Sequence, residues 1–384
     1  MRSVVLLLAS LILAAPYMLR LSRSIAVRET RRLASSAFTR EALLSQPAIY
    51  SDANDKIKAF KALQMKKKRD AQNVILLEGH RQVIDALSAG FRPKQILLSQ
   101  RAITSAPLAQ RLLEALSGCD PSSTQVLSVE DQVLSRLSDV VQGQGVLAAF
   151  ERPAQTSLPT TALASPAPLL LLLDRPSDPG NVGTIVRAAF GLGVDALLLV
   201  DGCDAFAPKA TRAAMGMNLQ LPCIELGWAG GAVPACLEAL PASTRSRLQL
   251  LLAVPDTDAG EGGEGWETAG SVCDYFSVDL TRPTLLVVGS EAAGIGPEAR
   301  DLGAALGLLQ TGAGEGGEGG VRRVRIPCAP GRGLESFNAA MAATVLLAEA
   351  CKQRLVRAAE ERREAEAALG EGKIKGKGRA RKEQ

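Results

Sequence analysis

Apolar residues recur at strand and helix spacing in two long stretches of this chain, and a short polar, proline-containing run separates them. In the first stretch, residues 57–150, short apolar runs alternate with helical patterns. Residues 73–77 and 95–99 predict buried strands, residues 79–89 the helix between them, and residues 146–150 a closing strand. Ahead of these, Ile57, Phe60, Leu63 and Met65 predict one apolar helical face, leaving Lys56, Lys58, Lys61, Lys66, Lys67, Lys68 and Arg69 mostly outward. Residues 151–168 are rich in Pro, Thr, Ala and Ser and predict a linker. Residues 169–173 are apolar throughout and open the second stretch as a buried strand. Near its end, Phe337, Met341, Val345 and Ala348 recur at helical spacing and are expected to face the core.

The ends of the chain follow other patterns. Arg2 precedes an apolar run from Val4 to Ala15 that is too short to span a bilayer comfortably but suits the h-region of a signal peptide. Behind it Arg20, Arg23, Arg28, Arg31, Arg32 and Arg40 lie in a serine-rich, acid-poor stretch of transit-peptide composition. The two parts together resemble the leaders of plastids acquired by secondary endosymbiosis; a mitochondrial presequence is the alternative. Either way the expectation is organelle import, with no stable membrane association once the leader is removed. At the other end, residues 351–368 continue as a charged helix, and residues 373–382 form a basic, glycine-containing tail expected to be unfolded. The expected organisation is therefore a leader at 1–40, a small α/β domain at 52–150, a linker at 151–168, a larger α/β domain at 169–357, and a charged helix end and basic tail at 358–384.

Composition narrows the chemistry. Aromatic residues make up 3% of the chain, which argues against base recognition on a broad stacking platform. The net charge of +4 is modest, so the lysine cluster matters more than the total. Lys56, Lys66, Lys67, Lys68 and Arg69 are the candidate contacts to an RNA backbone; a solvated helix face is the plain alternative. The seven cysteines are scattered with no CxxC pair, so they read as reduced core residues, and no metal is implied. The single histidine, His80, is expected to be structural or RNA-adjacent rather than catalytic.

Three motifs carry the candidate site. The first is Asp174-Arg-Pro-Ser-Asp-Pro-Gly-Asn-Val-Gly-Thr-Ile-Val-Arg187, a strand end and turn with Asn181 placed to cap the helix that follows. The second is Thr284-Leu-Leu-Val-Val-Gly-Ser-Glu-Ala-Ala-Gly-Ile-Gly-Pro297, where a strand runs into glycines that permit close backbone approach. The third is Val324-Arg-Ile-Pro-Cys-Ala-Pro-Gly-Arg-Gly-Leu-Glu-Ser-Phe-Asn338 at a helix start, where Ser336 and Asn338 suit capping. Each motif alone is also what an ordinary strand–turn–helix junction would carry. No GxGxxG follows a strand at the start of either domain, so a nucleotide-binding Rossmann enzyme lacks its fingerprint.

Taken in order, Asn-x-Gly-x-x-x-Arg, Gly-x-Glu-x-x-Gly, and Ile-Pro before Ser-x-Asn resemble the SpoU-type (TrmH-like) family of SPOUT methyltransferases. The segment Pro208-Lys-Ala-Thr-Arg-Ala-Ala-Met-Gly216 adds to the likeness, and Val74-Ile-Leu-Leu-Glu-Gly79 resembles the ribosomal-protein-like RNA-binding domain found ahead of such enzymes. The resemblance runs from about Ile57 to Arg354. It implies a trefoil-knotted α/β domain with a mostly parallel sheet, preceded by a small α/β RNA-binding domain. It further implies S-adenosylmethionine as cofactor, held at Gly289, Ile326 and Phe337, and methyl transfer to a ribose 2'-hydroxyl with Arg187, Asn181, Glu291, Ser336 and Asn338 as catalytic residues. Ribosomal RNA of an organellar large subunit is the expected substrate, transfer RNA the second, and a homodimer the expected assembly. The rival from another class is a noncatalytic RNA-binding ribosome-assembly factor of the same fold; loss of Arg187 or Asn338 would mark it, and both are present. Phe337 stands where a smaller Leu is more usual, and glycine-rich insertions at 259–270 and 311–320 and extra residues at 329–333 depart from the family pattern.

Overall fold

The structure is a computed structural model describing residues 38–104, 108–138, 144–256, 272–308, 320–329 and 336–380. Residues 1–37 of the expected leader fall outside these, as do most of both glycine-rich insertions and residues 330–335. In the first domain α1 (Arg40–Leu44), α2 (Asp55–Ala62) and α3 (Lys66–Gln72) precede β1 (Val74–Glu78). Then follow α4 (His80–Ser88), β2 (Pro93–Leu98), α5 (Gln100–Thr104), α6 (Leu108–Leu116), β3 (Gln125–Ser128), α7 (Asp131–Leu137) and β4 (Val146–Glu151). The sheet order is β1-β4-β2-β3, with β4 antiparallel to both of its neighbours. The lysine-rich segment is two helices rather than one face. Ile57, Phe60 and Leu63 are buried, but the helix ends at Ala62, and Met65 lies exposed at the break.

The segment expected as a linker contains α8 (Thr160–Ala164), and Leu158 and Ala162 are buried with the second domain's core. That domain runs β5 (Leu169–Asp174), α9 (Pro179–Gly191), β6 (Ala196–Val200), α10 (Pro208–Ala213), β7 (Cys223–Leu226), α11 (Ala232–Glu238), α12 (Ala242–Arg245) and β8 (Gln249–Val254). It continues with β9 (Val272–Asp274), β10 (Thr284–Val288), α13 (Pro297–Arg300), α14 (Leu302–Ala305), β11 (Gly320–Arg325) and α15 (Ala339–Ala380). The strand order is β7-β6-β5-β10-β8-β11-β9 and every pairing is parallel. The continuous apolar runs of β5 and β10 follow from burial on both faces. Leu171, Leu173, Leu286 and Val288 pack with α9 and α15 residues on one side, and Leu170, Leu172, Leu285 and Val287 pack with α11 and α14 residues on the other.

The buried face of α15 differs from the sequence expectation. Ala340, Ala343, Leu346, Leu347 and Ala350 are buried, whereas Met341 and Ala348 are exposed. The expected period began at Phe337, which precedes the helix, so it pointed to the neighbouring stripe. Arg354 ties α15 across the sheet by donating to the carbonyls of Leu280, Ala167 and Arg282. The helical backbone runs on to Ala380, so residues 373–380, expected to be unfolded, are helical.

Charges join the domains. Arg69 is buried, donates to the carbonyls of Leu63 and Gln64, and pairs with Asp204. Lys66 lies 3.3 Å from Glu225, and Arg152 reaches both Asp70 at 3.2 Å and Glu225 at 3.1 Å. The Arg152 guanidinium also stacks 3.9 Å above the Phe206 ring. Removing one partner of a buried pair leaves the other charge desolvated and uncompensated. Asp204→Ala should therefore cost about 3 kcal/mol in urea unfolding. An unchanged unfolding midpoint would show that Arg69 is not held by this carboxylate.

Candidate active site

The register of the parallel sheet sets the site. Leu173, Val288, Ala253 and Val324 stand side by side on β5, β10, β8 and β11. The chain therefore leaves three adjacent strands, β10, β8 and β11, at one level, and their following loops converge. Between them and α15 lies a cavity of about 290 Å³, lined by Ala253–Asp256, Val288–Ile295, Arg300, Val324, Ile326, Cys328, Ser336, Phe337, Ala339, Ala342 and Leu346. All three residues expected to hold the cofactor, Gly289, Ile326 and Phe337, line it.

Gly289 is required by its own loop. A Cβ there would sit 2.2 Å from the backbone of Gly294, because Ser290 and Gly294 exchange two backbone hydrogen bonds of 3.0 Å. Gly294 itself has φ +64°, a left-handed conformation that suits glycine. At the floor of the cavity Asp256 accepts from the Cys328 amide at 3.0 Å and pairs with Arg325 at 3.2 Å, tying the ends of β8 and β11 together.

At the cavity's mouth, three of the five expected catalytic residues meet. Asn181 Nδ2 donates to Glu291 Oε1 at 2.6 Å, and Asn338 Nδ2 approaches Asn181 Oδ1 at 3.4 Å. Asn338 Oδ1 accepts from the Ala340 amide, so this residue both caps α15 and reaches the site. Asn181 does not cap α9. Asp178 does, accepting from the amides of Gly180 and Asn181, with Pro179 in the first turn. That leaves the Asn181 amide group free for Glu291. Two residues missed in the sequence complete the group. Ser177 Oγ donates to the other Glu291 oxygen at 3.3 Å, and Lys209 pairs with Asp178 at 2.5 Å, its hydrogen bond holding that carboxyl below the usual range. Ser336 is exposed on the cavity rim.

Arg187 is not brought to this group. It lies six residues beyond Asn181, roughly 9 Å along α9 and about 120° around it. It is exposed and makes no hydrogen bond or ion pair among the described residues. The lysine cluster divides as well: Lys56, Lys67 and Lys68 are exposed, whereas Arg69 and Lys66 are engaged between domains. His80 is buried and its Nε2 contacts the Ala102 carbonyl at 3.0 Å, a structural position. Burial pushes the thiol of Cys203 up to about 11 and that of Cys223 up to about 12, so neither is a ready nucleophile.

Comparison with known proteins agrees with this arrangement. The SpoU rRNA Methylase family model matches residues 168–307, and that of the MRM3-like substrate binding domain matches residues 54–148. Human mitochondrial rRNA methyltransferase 3 is 32% identical over 74% of this chain and 69% of its own length. An uncharacterized tRNA/rRNA methyltransferase of Synechocystis is 30% identical over 80% of this chain and 94% of its own. The SpoU methyltransferase AviRb of Streptomyces viridochromogenes, solved with AdoMet, superposes with TM-score 0.60 at 27% identity, covering 79% of this chain and 100% of that one. The two-domain α/β architecture is thus that of the SpoU methyltransferases, enzymes of the SPOUT class. The chain belongs to the SpoU rRNA methylase family.

Gly289→Ala should cost about 1–3 kcal/mol through overpacking against Gly294. Gly294→Ala, where a Cβ meets nothing within 4 Å, should cost only the left-handed backbone, about 1 kcal/mol. Thermal unfolding that ranks the two in reverse would refute the close approach as the reason for Gly289.

Proposed function

We propose that this protein transfers a methyl group from S-adenosylmethionine to a ribose 2'-hydroxyl of organellar ribosomal RNA. The observation that carries this reading is the cavity closed by the Gly289 loop with Asn181, Glu291 and Asn338 linked at its mouth. The cavity lies at the lower edge of the usual ligand range, has apolar walls in Val288, Ile326, Phe337 and Leu346, and has polar groups at Asp256, Ser290 and Glu291. Such walls fit an adenine ring, and the Glu291 carboxylate at the mouth suits a cationic sulfonium compound.

When bound, S-adenosylmethionine supplies a methyl group already activated by positive charge. The chain's own task is then positioning and handling a proton. Glu291, oriented by Asn181 and Ser177, fixes the ribose side of the cavity, and Asn338 couples that group to α15. A guanidinium offers five N–H donors and no acceptor, so the role of Arg187 is to stabilise the developing 2'-oxyanion rather than to act as base. Because Arg187 lies outside the Asn181 group of its own chain, this reading requires a homodimer in which the partner subunit's Arg187 completes the site. The exposed Met341 and Ala348 on α15, beside α9, provide an apolar face for that contact.

Ribosomal RNA is favoured over transfer RNA by the match to an MRM3-like substrate binding domain and by rRNA in the name of the human relative. Lys56, Lys67 and Lys68 are the exposed cations expected on the RNA backbone. An organelle is supported by the leader's composition and by the mitochondrial relatives. The two-part leader favours a plastid over a mitochondrion, and import of a fluorescent fusion of residues 1–45 discriminates them.

The test is transfer of labelled methyl from S-adenosylmethionine to organellar large-subunit rRNA, read as a 2'-O-methyl nucleotide. Arg187→Ala should lower the single-turnover rate by on the order of 10²–10³-fold. RNA and cofactor binding without any transfer would instead identify a noncatalytic assembly factor. In filter binding, replacing Lys56, Lys67 and Lys68 by Ala should flatten the salt dependence by about one unit of slope for each phosphate no longer neutralised. An unchanged slope would place the RNA path elsewhere.

A further inference from the structure

Asp174 closes β5 one residue beyond Leu173, the partner of Val288, and is 1% exposed. A carboxylate buried so deeply in an apolar sheet is costly unless its oxygens are engaged. Here both are. Oδ2 accepts the Gly296 amide at 2.7 Å, and Oδ1 accepts Trp228 Nε1 at 2.8 Å with Arg175 Nη1 at 3.4 Å. Gly296 ends the loop that begins at Gly289 and walls the cavity. Arg175 goes on to pair with Glu298 at 2.8 Å just past that loop, and a Cβ on Gly296 would meet Arg175 Nη1 at 2.1 Å. The loop is therefore anchored at its start by the Gly289–Gly294 approach and at its end by Asp174, and between the anchors it carries Glu291.

We propose that Asp174 is a positioning residue for methyl transfer. It holds the far end of the 289–296 loop so that the cofactor-facing backbone and Glu291 keep one geometry. The proposal rests on the methyltransferase reading above. It acts through the loop alone, since Asp174 is not among the cavity-lining residues. Asn at 174 keeps the shape but replaces one acceptor by a donor. Either Gly296 N–H or the Trp228 and Arg175 donors then face an N–H group.

The experiment compares the full-length chain with Asp174→Asn and Trp228→Phe by calorimetric S-adenosylmethionine binding, RNA filter binding and thermal unfolding. Asp174→Asn should weaken cofactor binding about tenfold and leave RNA affinity unchanged. Trp228→Phe keeps the Gly296 bond and should lose clearly less cofactor affinity, whatever it loses in stability. Equal loss of cofactor affinity in the two variants, or parallel loss of cofactor and RNA binding, would overturn the proposal by showing a general packing role. If Asp174→Asn does not fold, hydrogen exchange on the unsubstituted chain decides. The Gly296 amide should exchange as slowly as those of β10, and fast exchange there overturns the proposal. Failure of the unsubstituted chain to bind S-adenosylmethionine is a separate outcome, which removes the methyltransferase reading itself.

Discussion

The parallel register of β5, β10, β8 and β11 is the constraint on which the rest depends. Parallel strands must be covered on both faces, so their apolar runs are continuous. Ligand sites in open parallel sheets lie in the crevice beyond the carboxyl ends of the strands. In this chain the level ends deliver Val288, Ala253 and Val324 to one floor, with Gly289 next after Val288 and Val254 paired with Arg325. A slip of one residue in β10 would exchange its core-facing and opposite-facing side chains and move Gly289 away from the level of Asp174.

Much of this was legible in the sequence, for reasons that differ between elements. The strands of five or six apolar residues announce themselves because nothing but double burial tolerates such runs, and Leu169–Asp174 and Thr284–Val288 emerged nearly as read. Gly289, Ile326 and Phe337 line one cavity because the motifs that carry them follow adjacent strands. Hidden from the sequence were features that depend on a partner distant along the chain. Asn181 reads as a cap until Asp178 is seen to take that role, which frees Asn181 for Glu291, 110 residues away. Periodicity misplaced the face of α15 because Phe337 is apolar for the cavity's sake and not for the helix's.

Charge was the least legible property. A run such as Lys66-Lys-Lys-Arg69 suggests a uniform phosphate-binding face, yet its members have different fates. Lys67 and Lys68 face solvent, while Arg69 turns inward to Asp204 and Lys66 to Glu225. The acidic partners lie beyond β6 and on β7, more than 130 residues downstream, and no local pattern reveals them. The pairs fasten the small domain's lysine-rich helices to the second domain, so the remaining exposed lysines keep a set position relative to the cavity.

The position of Arg187 carries the argument one step further. Among the described residues, the cavity is shaped by the loops after β8, β10 and β11 and by the start of α15, with Asn181 and Ser177 around Glu291. Arg187, the cation that closes the first motif, stands on another side of α9, away from that assembly. A helix of this kind, packed on both α10 and α15, cannot rotate by a third of a turn without disrupting the packing of Val182, Ile185 and Val186, which are buried. Rearrangement within one subunit is therefore a costly way to bring Arg187 to the Asn181 group. On the proposed reading, juxtaposing the exposed face of α9 with a second copy requires no change in the core and would bring the partner subunit's Arg187 to the cavity.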